Sequence, residues 1–176
     1  LRIDNVNKKI SYLSDLSNKD LKHINSKNLF HTSSYKDIEN MDIIIITVPT
    51  PLNKNKSPDL KAIEDVMFKI KNFVKKGQCI ILESTVYPGA TNKTIGNILK
   101  KLNLNIGHDF FLSYSPERIS PGDLLSRKFK IQNVPKVVSG ESKQCLKIAS
   151  GLYKKIFIKI VKTENLKEAE MSKLLE

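Results

Sequence analysis

Met41-Asp42-Ile43-Ile44-Ile45-Ile46-Thr47-Val48-Pro49-Thr50-Pro51 is the stretch on which the fold turns. A β-branched run that is apolar on both faces suits a central strand of a parallel sheet, covered by helices on each side. Pro49 and Pro51 end it. Downstream, Ser57-Pro58 reads as the N-cap and first residue of a helix, with Asp59 in the first turn. Leu60, Ile63, Val66, Met67, Ile70, Phe73 and Val74 then recur at three- and four-residue spacing as one apolar face, and Gly77 reads as the C′ residue. Cys79 to Leu82 is a second buried strand, followed by a polar loop and a helix with Ile95, Ile98, Leu99 and Leu102 on one side. Phe110 to Tyr114 is a third strand and Lys136 to Gly140 a fourth; a helix from Ser142 to Lys155 and a strand from Ile156 to Val161 follow. Upstream, Leu1-Arg2-Ile3-Asp4 reads as the tail of a strand, and Ile10, Leu13, Leu16 and Leu21 suit a short helix and irregular segments. Lys167 to Glu176 has the pattern of a helix. Strand and helix alternate, which predicts an α/β fold: a parallel sheet with helices on both faces and right-handed crossovers.

Composition narrows the class of protein. Of 176 residues 40% are hydrophobic and 27% charged, with only 7 Gly and 7 Pro, which excludes a disordered or fibrous chain. Ile43 to Ile46 is the longest pure apolar run, too short to cross a bilayer. No secretory pattern opens the sequence, so a cytoplasmic protein with no membrane association is expected. The net charge of +12 raises a basic nucleic-acid-binding protein as an alternative. Nearly all of that charge is scattered Lys, however, and Trp, aromatic–basic interleaving and zinc-ligand spacing are absent from the sequence. A solvated Lys-rich surface is the preferred reading. Cys79 and Cys145 form no CxxC and sit among apolar residues, as packed reduced thiols do.

Ligands of open α/β sheets bind at the carboxyl ends of the strands. Three loops there are unusual: Val48 to Pro51, Glu83 to Gly89, and Ser115 to Asp123. Each sets polar side chains beside Pro or Gly, and one such loop alone would pass as an ordinary turn. Asp4, an acid at a strand end, is the residue type that accepts hydrogen bonds from a ribose diol.

Together these segments carry a resemblance. Val48-Pro49-Thr50-Pro51, Glu83-Ser84-Thr85-Val86-Tyr87-Pro88-Gly89, Ser115-Pro116-Glu117-Arg118-Ile119-Ser120-Pro121-Gly122-Asp123 and Glu168-Ala169-Glu170-Met171-Ser172-Lys173 resemble, in order and spacing, the UDP-glucose/GDP-mannose dehydrogenase family. The third loop resembles the branch that acts on UDP-N-acetylhexosamines. The resemblance implies a Rossmann-like sheet, NAD as cofactor, and oxidation of a sugar C6 hydroxyl to a carboxylate in two hydride transfers. A Cys thiolate traps the intermediate aldehyde in that scheme. By position it implies that Asp4 and Lys9 hold the adenosine ribose, that Thr50 lines the cofactor path, and that Thr85 sits by the nicotinamide and catalytic water. Glu117 would assist proton transfer and position substrate, Arg118 would face substrate, and Lys173 would stabilise the oxyanion.

On this reading residues 1–163 are part of an NAD-binding domain and 164–176 begin an interdomain helix, through which the full-length protein would dimerise. The family's Gly-x-Gly-x-x-Gly turn, its Gly-Gly-x-Cys nucleophile segment and its UDP-binding domain are not found in this sequence. The chain therefore reads as a fragment, truncated at the N-terminus and incomplete for catalysis on its own. UDP-glucose or GDP-mannose 6-dehydrogenase is the alternative within the family, and a non-catalytic remnant the alternative outside catalysis.

Overall fold

In the computed structural model, residues 2–12, 17–23, 29–54, 56–119 and 131–175 are described. Five strands, β1 (Ile43–Ile46), β2 (Cys79–Leu82), β3 (Phe111–Tyr114), β4 (Lys136–Gly140) and β5 (Ile160–Lys162), lie side by side in chain order. The helices are α1 (Arg2–Asn7), α2 (Asn18–His23), α3 (Lys61–Ile70), α4 (Asn97–Lys101), α5 (Lys143–Tyr153) and α6 (Leu166–Leu174). A π-helical turn, Asn92–Gly96, leads directly into α4, and short 3-10 turns lie at Tyr35–Asn40 and Ile131–Asn133.

Side-chain alternation along the strands divides the interior in two. Ile44, Ile46, Ile80, Leu82, Leu112 and Tyr114 face α3, the segment around Ile95 and Leu99, and Leu166 and Ala169 of α6. Cys79, Ile81 and Val138 point the other way, onto Ala149, Tyr153 and Phe157. β2 is buried on both faces, as its sequence predicts. β1 is not: Ile44 and Ile46 are buried but Ile45 is 43% exposed. Helix α5 covers the second face over β2 to β5, and the described sheet ends at β1, so that face of β1 is left open.

The all-parallel expectation fails at one pairing. β1, β2 and β3 are parallel, as are β4 and β5, but β3 and β4 are antiparallel. A parallel crossover needs a dozen or more residues, usually with a helix, to carry the chain back. Between Tyr114 and Lys136 the described residues form no such helix. Gly140 makes the next connection possible, because a Cβ there would stand 2.2 Å from the backbone nitrogen of Leu146 in α5. Ser142 then caps α5 by accepting the Cys145 N–H at 3.2 Å.

Several boundaries move. Arg2 to Asn7 is helical, so Arg2 to Asp4 do not form the strand tail expected of them, and among the described residues no strand pairs with them. Helix α3 begins at Lys61 and not at Pro58, because Pro58 pairs back with Leu52 in an isolated bridge; Asp59 still serves the helix start, accepting the Lys61 N–H at 3.0 Å. Gly77 takes a positive φ of 89° several residues beyond the helix, in the turn into β2. The last strand is Ile160–Lys162, since Ile156 to Ile158 turn out of α5. Leu21 is buried while Ile10 is 45% exposed. Leu1, Leu13, Leu16, Ser120 to Asp123 and Glu176 lie outside the described residues.

Candidate active site

Register builds the site. Ile46, Leu82 and Tyr114 stand in one row across β1, β2 and β3, so the segments after them leave the sheet at a common edge. Backbone bonds extend the row: Glu83 N–H donates to Ile46 O at 3.0 Å and Ser115 N–H to Leu82 O at 3.0 Å. Side chains then tie the first two loops together. Thr50 Oγ1 donates to Thr85 O at 2.7 Å, and Ser84 Oγ donates to Val48 O at 2.6 Å. Thr50 and Thr85 are both partly buried.

The third loop meets a buried cation. Glu117 turns back on its own backbone, its Oε1 accepting N–H from Arg118 at 2.7 Å and Ile119 at 2.9 Å. Its Oε2 lies 3.3 Å from Lys136 Nζ, and the same ammonium lies 3.0 Å from Glu83 Oε1. Tyr153 OH donates to Glu83 Oε1 at 2.6 Å. Burial, together with the neighbouring Glu83 charge, holds the Tyr153 phenol far above its ordinary range, so it stays a donor. Lys136 is only 2% exposed, a position in which an unpaired ammonium would be costly.

Helix α6 is fastened to the second loop. Glu170, fully buried, accepts N–H from Gly89 and, at 2.8 Å, from Thr91. These are donors at the start of the helical run that reaches Lys101, where a carboxylate is favoured. Gly89 holds φ at +89°, a conformation L side chains rarely adopt, and so delivers its N–H to Glu170. Lys173 follows Glu170 by three residues and Ala169 by four, on the helix side that meets these loops. Its neighbour Leu174 lines a hollow together with Tyr87, Pro58 and Leu52.

Residues 1–157 match the model of the NAD-binding domain of the UDP-glucose/GDP-mannose dehydrogenase family. The chain belongs to that family. It is 37% identical over 150 residues to UDP-N-acetyl-D-glucosamine 6-dehydrogenase of Pseudomonas aeruginosa, covering 84% of this chain and 35% of that one. Protein CapL of Staphylococcus aureus is 36% identical over 155 residues, covering 87% and 36%. The solved structure of the UDP-N-acetyl-mannosamine dehydrogenase from Pyrococcus horikoshii superposes with a TM-score of 0.86 at 28% identity, over 99% of this chain and 41% of that one. The chain thus spans about a third of the length of the curated relatives it matches.

Within the family's domain, Thr50, Thr85 and Glu117 stand on loops leaving one sheet edge, with Arg118 exposed beside Glu117 and Lys173 partly buried on the helix clamped to the second loop. Asp4 is on α1, not at a strand end, and Lys9 lines a small cleft with Asn7, Leu29, Phe30 and His31. Sequence reasoning missed Lys136, Tyr153 and the buried roles of Glu83 and Glu170. A lysine opening the otherwise apolar strand Lys136-Val137-Val138 was the available signal for the first. Among the described residues no group of acidic, His and Cys side chains could hold a metal ion, and no helix is long and apolar enough to cross a membrane.

Proposed function

We propose that the chain is the cofactor-binding part of a cytoplasmic, NAD-dependent UDP-N-acetylhexosamine 6-dehydrogenase that makes precursors for surface polysaccharide. The carrying observation is the convergence of Thr50, Thr85 and Glu117 on one sheet edge in a chain of this family. The 37% identity to a UDP-N-acetyl-D-glucosamine 6-dehydrogenase supports the substrate class. Residues 1–163 form the cofactor domain and 164–176 the beginning of an interdomain helix that serves a homodimer.

The residues present fit NAD. Thr50 and Thr85 offer hydroxyl and amide dipoles, partly buried at the strand-end edge, against which a planar carboxamide ring can lie. When bound, NAD supplies the hydride acceptor for C6. Thr50 keeps the Thr85 backbone in place, so that the Thr85 hydroxyl is free to orient water or the reacting oxygen. Glu117, its carboxylate oriented by two backbone N–H groups, takes up or returns the C6 hydroxyl proton. Arg118 faces the substrate, and Lys173 offers its ammonium to negative charge developing on oxygen. Asp4 and Lys9 hold the adenosine ribose.

The test uses the protein as its gene encodes it, read through both ends of this segment. NADH formation is followed with UDP-N-acetylglucosamine, UDP-N-acetylmannosamine, UDP-glucose and GDP-mannose. Turnover confined to the N-acetylated sugars supports the reading. Turnover of UDP-glucose or GDP-mannose alone contradicts the substrate class, and NAD binding without any turnover favours a non-catalytic remnant.

A further inference from the structure

We propose that Lys136 is a positioning residue for the site: its buried ammonium, braced by Glu83, fixes the Glu117 carboxylate at the strand-end edge. The inference rests on the dehydrogenase reading for its kinetic consequence, but its geometry stands on Lys136, which the family resemblance did not single out.

The antiparallel β4 is what makes the contact. Tyr114 pairs with Ser139, and beyond the end of β3 the antiparallel course brings Glu117 to Lys136, the first residue of β4. Had β4 run parallel to β3, Lys136 would open its strand at the opposite edge of the sheet. Ser115 Oγ donating to Val137 O at 2.7 Å shows the two chains still side by side just short of that point.

An ammonium has three donors and no acceptor. Lys136 Nζ finds three oxygens: Glu83 Oε1 at 3.0 Å, Glu117 Oε2 at 3.3 Å and Pro116 O at 3.3 Å. The rings of Tyr153 and Phe157 flank it, with centroids 5.1 and 5.6 Å away. The two carboxylates are unequal. Glu83 is 15% exposed and further tied by Tyr153, whereas the Glu117 side chain is 44% exposed. One face of the Glu117 carboxylate is therefore anchored from the interior while the rest stays open to a ligand. A stability pair would need only one acid; the second, half-exposed one is held at the edge where the reacting groups converge. Without the cation, Glu83 and Glu117 would be left as like charges with nothing between them.

Lys136→Met, Lys136→Arg and Glu83→Gln in the gene-encoded protein test this. Two readouts are taken: steady-state kinetics with NAD and UDP-N-acetylglucosamine, and hydrogen exchange of the peptide spanning residues 115–119. Lys136→Met is expected to lower kcat by about 30-fold while both KM values stay within about threefold, and to speed exchange at the Arg118 and Ile119 amides. Lys136→Arg keeps the charge and is expected to restore both readouts to within about threefold of wild type. If the Met variant does not fold, Glu83→Gln carries the comparison, with a smaller change in the same direction. Wild-type kcat and wild-type exchange in Lys136→Met overturn the proposal. So does a loss that Arg fails to rescue and that comes with faster exchange throughout β1 to β3, which would mark a structural lysine. A wild-type protein that oxidises none of the four sugar nucleotides sinks the dehydrogenase reading, while the exchange at 118 and 119 still decides whether Lys136 holds Glu117.

Discussion

At Thr50 one hydroxyl joins two loops that leave different strands, through the 2.7 Å bond to Thr85 O. Thr50→Val keeps the shape and removes the donor, so the Thr85 segment loses a restraint of about 1 kcal/mol. Affinity for NAD is expected to fall roughly five- to tenfold in a fluorescence titration, with the thermal midpoint lowered by about 2–4 °C. Glu170 is a stability residue in the first instance. Its carboxylate serves two backbone donors from a fully buried position, and Glu170→Ala leaves them orphaned. A loss of about 3 kcal/mol in urea unfolding is expected. The cysteines behave oppositely to nucleophiles. Burial, with a smaller contribution from Cys145, pushes the Cys79 thiol up from 9.0 to about 12, and both side chains are enclosed. Neither should react with a thiol reagent at neutral pH in the native state, and both should react in urea. The sign for stability follows from the native state keeping a proton that the unfolded state releases. This contribution is complete below about pH 9 and is lost as the pH rises toward about 12. Tyr114 and Tyr153, both held up mainly by burial, add to alkaline unfolding in the same direction.

At the scale of elements, the first four strands were legible, while the strand tail expected near Asp4 proved helical and the last strand began later than expected; their directions were only partly legible. Ile43 to Ile46 and Cys79 to Leu82 declare themselves by β-branched or apolar content at a length that only strands use. The antiparallel turn of β4 was hidden, because direction depends on what joins two strands and the joining segment carries loop signals alone. Thr50, Thr85 and Glu117 could be named from motifs, yet Lys136 could not, since its place in the site comes from that reversed strand. Helix boundaries shifted for local reasons such as the Leu52–Pro58 bridge. Close packing makes its own prediction here. Gly140→Ala would drive a methyl into the α5 backbone at Leu146 and Cys145, which cannot give way as a flexible side chain can. A loss of about 2–3 kcal/mol is expected in urea unfolding, against a far smaller change for Gly151→Ala on the exposed side of α5, where nothing stands within 4 Å.

Over the whole molecule, a sheet with three converging loop ends, a buried lysine between two acids and a helix clamped by Glu170 agree with membership of one family. The +12 charge plays no part in that architecture, and its carriers are mostly exposed lysines. Steep salt-dependent binding to DNA or RNA would be required if the charge were functional, with affinity falling by orders of magnitude between low and moderate salt. The dehydrogenase account expects only weak association, lost at physiological ionic strength. The proposed activity is oxidation of a UDP-N-acetylhexosamine by NAD in the protein the gene encodes. The most direct measurement is the yield of NADH from a limiting amount of UDP-N-acetylglucosamine or UDP-N-acetylmannosamine. The account predicts two NADH per sugar consumed, with the uronate as product. No NADH from either sugar, or NADH from UDP-glucose alone, would contradict it.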